Sequence, residues 1–260
     1  MYSMREDKLV RIEWIGNIKK IVFNRPDKLN AFNTELMEEV ISEVSKLGRA
    51  KALVFTGEGR FFSAGIDLAE VASCRDSNEV QNIFRTLARM FNTIASVDIP
   101  VIILLNGDAY GGGAEFIWLG DFVVAPKGIR IGWAESRWGL VPPIFPYLGS
   151  LTLGIIRSKY IAYTSGYITS EDAYHFGLIS QLVDNKDELE KALEEILKKL
   201  SGISPYAFKS MKNYFRMVMN HQLTMYGVSE LIRLSGDPQV KRKALDFIER
   251  KELPSYNWGF

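Results

Sequence analysis

Along the chain, short runs of β-branched and aliphatic residues alternate with segments whose apolar positions recur every three or four residues. That is the pattern of an α/β domain rather than of a sandwich or a helical bundle. Ile18–Phe23, Ala52–Thr56, Val101–Leu105, Phe122–Ala125 and Ile129–Trp133, each bounded by Gly, Pro, Asn or Asp, read as strands. Between the first two, Leu36, Met37, Val40, Ile41, Val44 and Leu47 fall at helical spacing, with Asn33 as N-cap and Glu35 in the first turn, so a core-facing helix is expected. From about Leu151 the strand signals fade: Thr169–Asp172 has the form of a capped helix start, and Asp187–Leu200 is charged and amphipathic. No fixed-period repeat or low-complexity linker interrupts the chain. Ser201–Pro205 is the nearest thing to a boundary, which suggests a core over residues 1–200 and a helical region over 201–260. Helices at Tyr206–Met219 and Val240–Ile248 would pack on that core or on a neighbouring subunit.

The chain has 260 residues, of which 47% are hydrophobic. At that size folding buries roughly 73% of the unfolded surface, so a sizeable core is expected. Lys and Arg total 32 against 31 Asp and Glu, which points to neither nucleic acid nor another strongly charged partner. Lys241-Arg242-Lys243 is a compact basic triplet, read as a solvated helix face. One cysteine, Cys74, in the polar stretch Ser73–Asn78, and two histidines, His175 and His221, make an internal disulfide impossible and a zinc site hard to build. Met1–Lys8 lacks an export signal's apolar stretch, and the run Val101–Leu105 is far shorter than the ~20 residues of a membrane span. A soluble, cytoplasmic protein without a membrane partner is expected.

Candidate chemistry gathers in three segments. Asn106–Glu115 places Gly111, Gly112 and Gly113 between a strand and the apolar stretch Phe116–Leu119, where the N–H groups of a helix start are exposed. It lacks the Lys-Ser/Thr of a phosphate-binding loop and the G-x-G-x-x-G of a dinucleotide site. It offers N–H donors beside a carboxylate instead, because Gly112 and Glu115 share one face of the first turn; a tight turn alone would also explain the glycines. A second such turn, Phe61–Glu70, brings the Ile66 amide to a helix start, where Asp67 and Glu70 have capping-box spacing and a cap suffices to explain Asp67. Two such turns could form an oxyanion hole. In the third segment, Ile131–Pro143, Glu135 lies between Trp133 and Trp138, and an apolar wall raises a carboxyl pKa. By itself Glu135 reads more readily as a surface or salt-bridged residue, paired for example with Arg137. Trp118, Trp133, Trp138 and Phe145 are core or pocket wall, which sequence does not separate.

Taken together, Asn24-Arg25-Pro26 with Asn30-Ala31, Ser63–Asp67, Asn106-Gly107 with Gly111–Glu115, Glu135 with Gly139, and Ile168-Thr169 with Gly177-Leu178 resemble the enoyl-CoA hydratase/isomerase (crotonase) family. The motifs run in family order, and Phe247–Pro254 resembles the family's last helix. The resemblance implies a spiral of repeated ββα units followed by C-terminal helices that serve oligomerisation and cap the CoA. It implies that the Ile66 and Gly112 amides hold the thioester oxygen of an acyl-CoA and that Glu115 and Glu135 are the two carboxylates of a hydratase. It places Arg25, Lys28 and Leu29 in one loop, and Ala64, Gly65, Asp67 and Leu68 in another, as the grip on CoA. Phe247 and Arg250 of a neighbouring subunit would approach its adenine and phosphates, and the assembly would be a homotrimer or a dimer of trimers. No metal or redox cofactor is required, since the CoA thioester is itself the substrate.

The activity so implied is addition of water across the 2,3 double bond of a 2-enoyl-CoA. The alternatives are a Δ3,Δ2-enoyl-CoA isomerase, another family reaction such as that of methylglutaconyl-CoA hydratase, or a non-catalytic RNA-binding relative. Two departures stand out: Ala69 occupies the place of a lysine common in hydratases, and Pro142–Tyr147 replaces a glycine-rich stretch. Bulk there, with Trp133, Trp138 and Phe145 as the acyl-pocket wall, predicts a preference for short or branched acyl groups.

Overall fold

A computed structural model describes residues 8–218, 221–257 and 259. Residues 1–7 of the N-terminal stretch, and Met219 at the end of one expected helix, lie outside them.

The chain winds through successive turns that each lay strands and then a helix. The first holds β1 (Val10–Ile15), β2 (Ile18–Phe23) and α1 (Thr34–Ser45); the second holds β3 (Ala52–Gly57), β4 (Phe61–Ser63), α2 (Leu68–Ser73) and α3 (Ser77–Ala95). The third holds β5 (Val101–Leu104), β6 (Asp108–Tyr110) and the single-turn α4 (Gly112–Glu115), continued as a 3-10 turn over Phe116–Leu119. In the fourth, β7 (Phe122–Pro126) and β8 (Arg130–Gly132) lead through a 3-10 turn, Glu135–Trp138, into α5 (Phe145–Thr152) and α6 (Ile155–Thr164). Then come β9 (Tyr167–Thr169), α7 (Ser170–His175), β10 (Gln181–Val183) and α8 (Leu189–Leu200), and finally α9 (Pro205–Val218), α10 (His221–Ser235) and α11 (Pro238–Arg250).

From the second turn to the fourth, each gives its first strand to a six-stranded sheet, ordered β1-β2-β3-β5-β7-β10, and its second to a smaller sheet, β4-β6-β8-β9. Pairing is parallel except for β1 on β2 and β9 on β8. This is the ββα spiral expected. β5 is apolar at every position and buried on both faces, as a central parallel strand requires. Asn33 caps α1 as expected, accepting from Leu36 N at 3.0 Å.

Several elements differ from the sequence reading. No element is read from sequence over 77–95, where α3 runs for 19 residues; its signal is Asp76, which caps Asn78 and Glu79, followed by Val80, Ile83, Phe84, Leu87, Met90, Phe91 and Ile94 on one face. Cys74 is no polar-loop residue: it is buried at the C-cap of α2, and desolvation pushes its thiol pKa up. The last helix stops at Arg250, with Lys251 in the left-handed region, so Glu252, Leu253 and Pro254 lie beyond it. Asp67 and Glu70 do not close a capping box. Asp67 caps Ala69 N, whereas the Glu70 carboxylate accepts from Thr34 N and joins α2 to the start of α1.

The C-terminal helices share the main core: Leu231, Val240 and Ala244 belong to the same buried cluster as the central strands. α9 is fastened to the start of β5 by Lys212, whose Nζ donates to Ile99 O (2.8 Å) and Asp121 Oδ2 (2.6 Å), while Asp121 also accepts from Val101 N. Burial pulls the Lys212 pKa below its ordinary range, with Asp121 opposing. Lys212→Ala is therefore expected to cost about 1–3 kcal/mol, because Asp121, partly exposed and still held by Val101 N, would lose its charged partner. Urea denaturation at neutral pH checks this; an unchanged midpoint would contradict it.

Candidate active site

Parallel pairing of β4 with β6 sets the turns that follow them side by side. Gly65, at φ 82°, allows the contact: a Cβ there would lie 2.7 Å from Tyr110 O and 2.9 Å from Gly112 N. Ile66 pairs with Phe32 in a parallel bridge that uses Phe32 N to Gly65 O and Asp67 N to Phe32 O, which turns the Ile66 amide away from Phe32. Gly112 is the first residue of α4, so its amide has no carbonyl one turn earlier in the helix. Both residues line one cavity of about 80 Å³.

Two carboxyls sit beside those amides. Glu115 is fully buried, and its oxygens accept from Ile144 N (2.7 Å) and Phe145 N (3.1 Å) at the entry to α5. Desolvation first, then the Glu135 charge, hold its pKa well above the usual carboxylate range. Trp133 is stacked on Phe145 with centroids 3.9 Å apart, and its buried indole N–H has no hydrogen-bond partner. Glu135 lines the cavity, and a Cβ on Gly111 would meet its Oε1 at 3.5 Å, so this carboxyl faces the Gly112 turn. Its Oε2 is buried without a partner, and desolvation pushes its pKa up to about 7. The two titrate as a coupled pair. Near neutrality desolvation favours the proton on Glu115, whereas the Ile144 and Phe145 donors favour the charge there, and the hydration proposed below uses the form with Glu115 charged and Glu135 protonated.

The other residues singled out in the sequence divide between the cavity and the frame around it. Ala64 and Leu68 line the cavity, and Ala64 N donates to Leu29 O (3.0 Å), which joins the two loops expected to grip CoA. Arg25 and Asp67 are engaged with each other, Nη2 to Oδ2 at 2.9 Å, and Arg25 also holds Ala31 O, so both side chains brace the loops. Lys28 and Arg250 are exposed. Phe247 packs edge-on against Trp138 of its own chain, at 5.3 Å. Trp138 lines the cavity, whereas Trp133 and Phe145 are wholly buried as a stacked pair and do not. Of the stretch after Glu135, Pro143 lines the cavity. The sequence reading misses Tyr110 and six apolar lining residues, Leu140, Val71, Phe84, Leu87, Leu231 and Val240. The last four carry only a helical apolar period, which does not say what the face covers. Among the described residues, no three His, Cys, Asp or Glu side chains form a group that could hold a metal ion.

A family model for enoyl-CoA hydratase/isomerase matches residues 13–253. Over 210 residues the chain is 30% identical to the short-chain-enoyl-CoA hydratase of Clostridium acetobutylicum, covering 78% of this chain and 79% of that protein. It is 29% identical over 177 residues to the 1,2-epoxyphenylacetyl-CoA isomerase of Escherichia coli, covering 65% and 67% respectively. In fold it matches the crystal structure of enoyl-CoA hydratase from Bacillus halodurans with a TM-score of 0.80 at 21% identity, covering 92% of this chain and 99% of that one. The order of motifs, the ββα spiral and a match over nearly the whole length agree: the chain belongs to the enoyl-CoA hydratase/isomerase family.

Proposed function

We propose that the protein adds water across the 2,3 double bond of an enoyl-CoA thioester. The observation that carries this reading is the pair of buried carboxyls beside two residues, Ile66 and Gly112, that line one cavity. Glu115, oriented by two backbone donors, retains further acceptor sites on its oxygens for a water. It takes that water's proton as the oxygen attacks Cβ. The electron pair moves onto the thioester oxygen, where the Ile66 and Gly112 N–H groups meet the charge; one such donor typically contributes about 2.7–4 kcal/mol. The enolate collapses as Glu135 protonates Cα, and transfer of the proton from Glu115 to Glu135 restores the starting state. A trimeric assembly, with the CoA held by the Arg25–Leu29 and Ala64–Leu68 segments, belongs to the same proposal.

A second reading has its own observation: of the two carboxyls, Glu135 lines the cavity and Glu115 does not. One carboxyl that collects a proton from one carbon and returns it to another would isomerise a 3-enoyl-CoA to the 2-enoyl form. Incubation with four-carbon 2-enoyl- and 3-enoyl-CoA in ¹⁸O-labelled water separates the two by mass spectrometry. A labelled 3-hydroxyacyl-CoA from the 2-enoyl thioester is expected. A shifted double bond without label would replace hydration by isomerisation, and neither product would sink both.

A further inference from the structure

The cavity that both amide-bearing residues line is also lined by residues of this chain's own C-terminal helices. Leu231 of α10 and Val240 of α11 line it and are themselves nearly inaccessible, at 2% and 4% exposure. Their backbones are seated. A Cβ on Gly227, one turn before Leu231 on the same face, would lie 2.0 Å from Pro143 O, so α10 rests directly on the loop that follows Glu135. Gln81 of α3 donates to Ile232 O at 3.2 Å, and Asp237 caps α11 through Gln239 N at 2.8 Å. Phe84, Leu87 and Leu140 continue the apolar wall.

Size and polarity then limit what enters. About 80 Å³ is close to half of the ~150 Å³ of a cavity that binds benzene, room for an acyl tail of roughly four carbons. Besides Glu135 and Tyr110, no lining side chain ionises, so a carboxylate at the far end of a substrate would be buried without a cation. We propose that Leu231 and Val240 form the end wall of the acyl site and restrict this protein to short, uncharged acyl thioesters. The inference rests on the reading of the cleft as an acyl-CoA site.

Calorimetric titration with unreactive saturated thioesters tests it without requiring turnover. In the wild type, butyryl-CoA is expected to bind at least about tenfold more tightly than hexadecanoyl-CoA or succinyl-CoA, the scale on which apolar sites discriminate. Leu231→Ala and Val240→Ala, which remove three and two side-chain carbons, should bring hexanoyl-CoA to within about threefold of butyryl-CoA. Val240→Ala removes less side chain and keeps the test open if Leu231→Ala does not fold. Equal or tighter binding of hexadecanoyl-CoA by the wild type, or an unchanged length profile in folded Val240→Ala, would overturn the end wall. A length cut-off in binding without hydration of four-carbon enoyl-CoA would leave the wall standing and remove the hydratase reading; no binding of any acyl-CoA would remove both.

Discussion

Replacing Glu135 by glutamine is expected to lower turnover of a 2-enoyl-CoA by about 10²–10⁴, the usual contribution of a positioned acid or base. The amide keeps the shape but cannot deliver a proton to Cα. With Glu135 at about 7 in the folded protein, hydration that needs its proton should decline as pH rises through 7, and this limb should vanish in the variant. Were Glu135 instead the base of an isomerisation, kcat/KM would rise through the same pH, so the direction of the limb discriminates between the reactions. Stability should move oppositely to activity. Because the folded-state pKa lies above the ordinary carboxylate value, the unfolded chain ionises first, and the carboxyl destabilises the fold increasingly from about pH 4.5 up to about 7. Glu135→Gln should therefore raise Tm at pH 8 and leave it nearly unchanged at pH 4. Glu115 suits the same substitution poorly, since both its oxygens accept backbone N–H groups and an amide NH₂ would confront one of them. Normal turnover in folded Glu135→Gln would end the assignment.

Gly112→Pro is expected to lower kcat by about 10²–10³, much more than its effect on stability explains. The first position of a helix is where proline fits, because the N–H it lacks has no intrahelical acceptor and its fixed φ suits the helix. The substitution thus removes one of the two N–H groups proposed to meet the thioester oxygen and leaves that of Ile66. Gly112→Ala is the control: its Cβ would find Leu87 and Phe32 at 3.6 Å, ordinary contact, and the amide would remain. Steady-state kinetics and thermal unfolding of the two variants give the comparison. If proline and alanine lower kcat equally, the Gly112 amide has no part in the reaction.

What the sequence by itself determined is whatever rests on local pattern. The buried strands Ala52–Gly57 and Val101–Leu104 announce themselves as aliphatic runs, and Ile18–Phe23 by the Ile-Val-Phe that follows its two lysines. The caps at Asn33, Asp67 and Thr169 need only one side chain and the turn that follows. The glycine turns at 65 and 111–113 are visible because few other residues serve such backbones, and with Glu115 and Glu135 they carry the family resemblance.

Tertiary structure decided the rest. The three-residue strands β4 and β6 have too little length for a period of two to register, yet their pairing alone sets the Ile66 and Gly112 amides together. Glu115 and Glu135 acquire their raised pKa values from desolvation, a property of what surrounds them and not of their neighbours in sequence. Trp133, Trp138 and Phe145 look alike along the chain; only packing sent two into a stacked core pair and left the third on the cavity. Leu231 and Val240 lie more than a hundred residues from Gly112 and reach its cavity solely because α10 and α11 fold back over the spiral. Hydrophobic burial rewards that return without specifying, in any local pattern, which face it will cover.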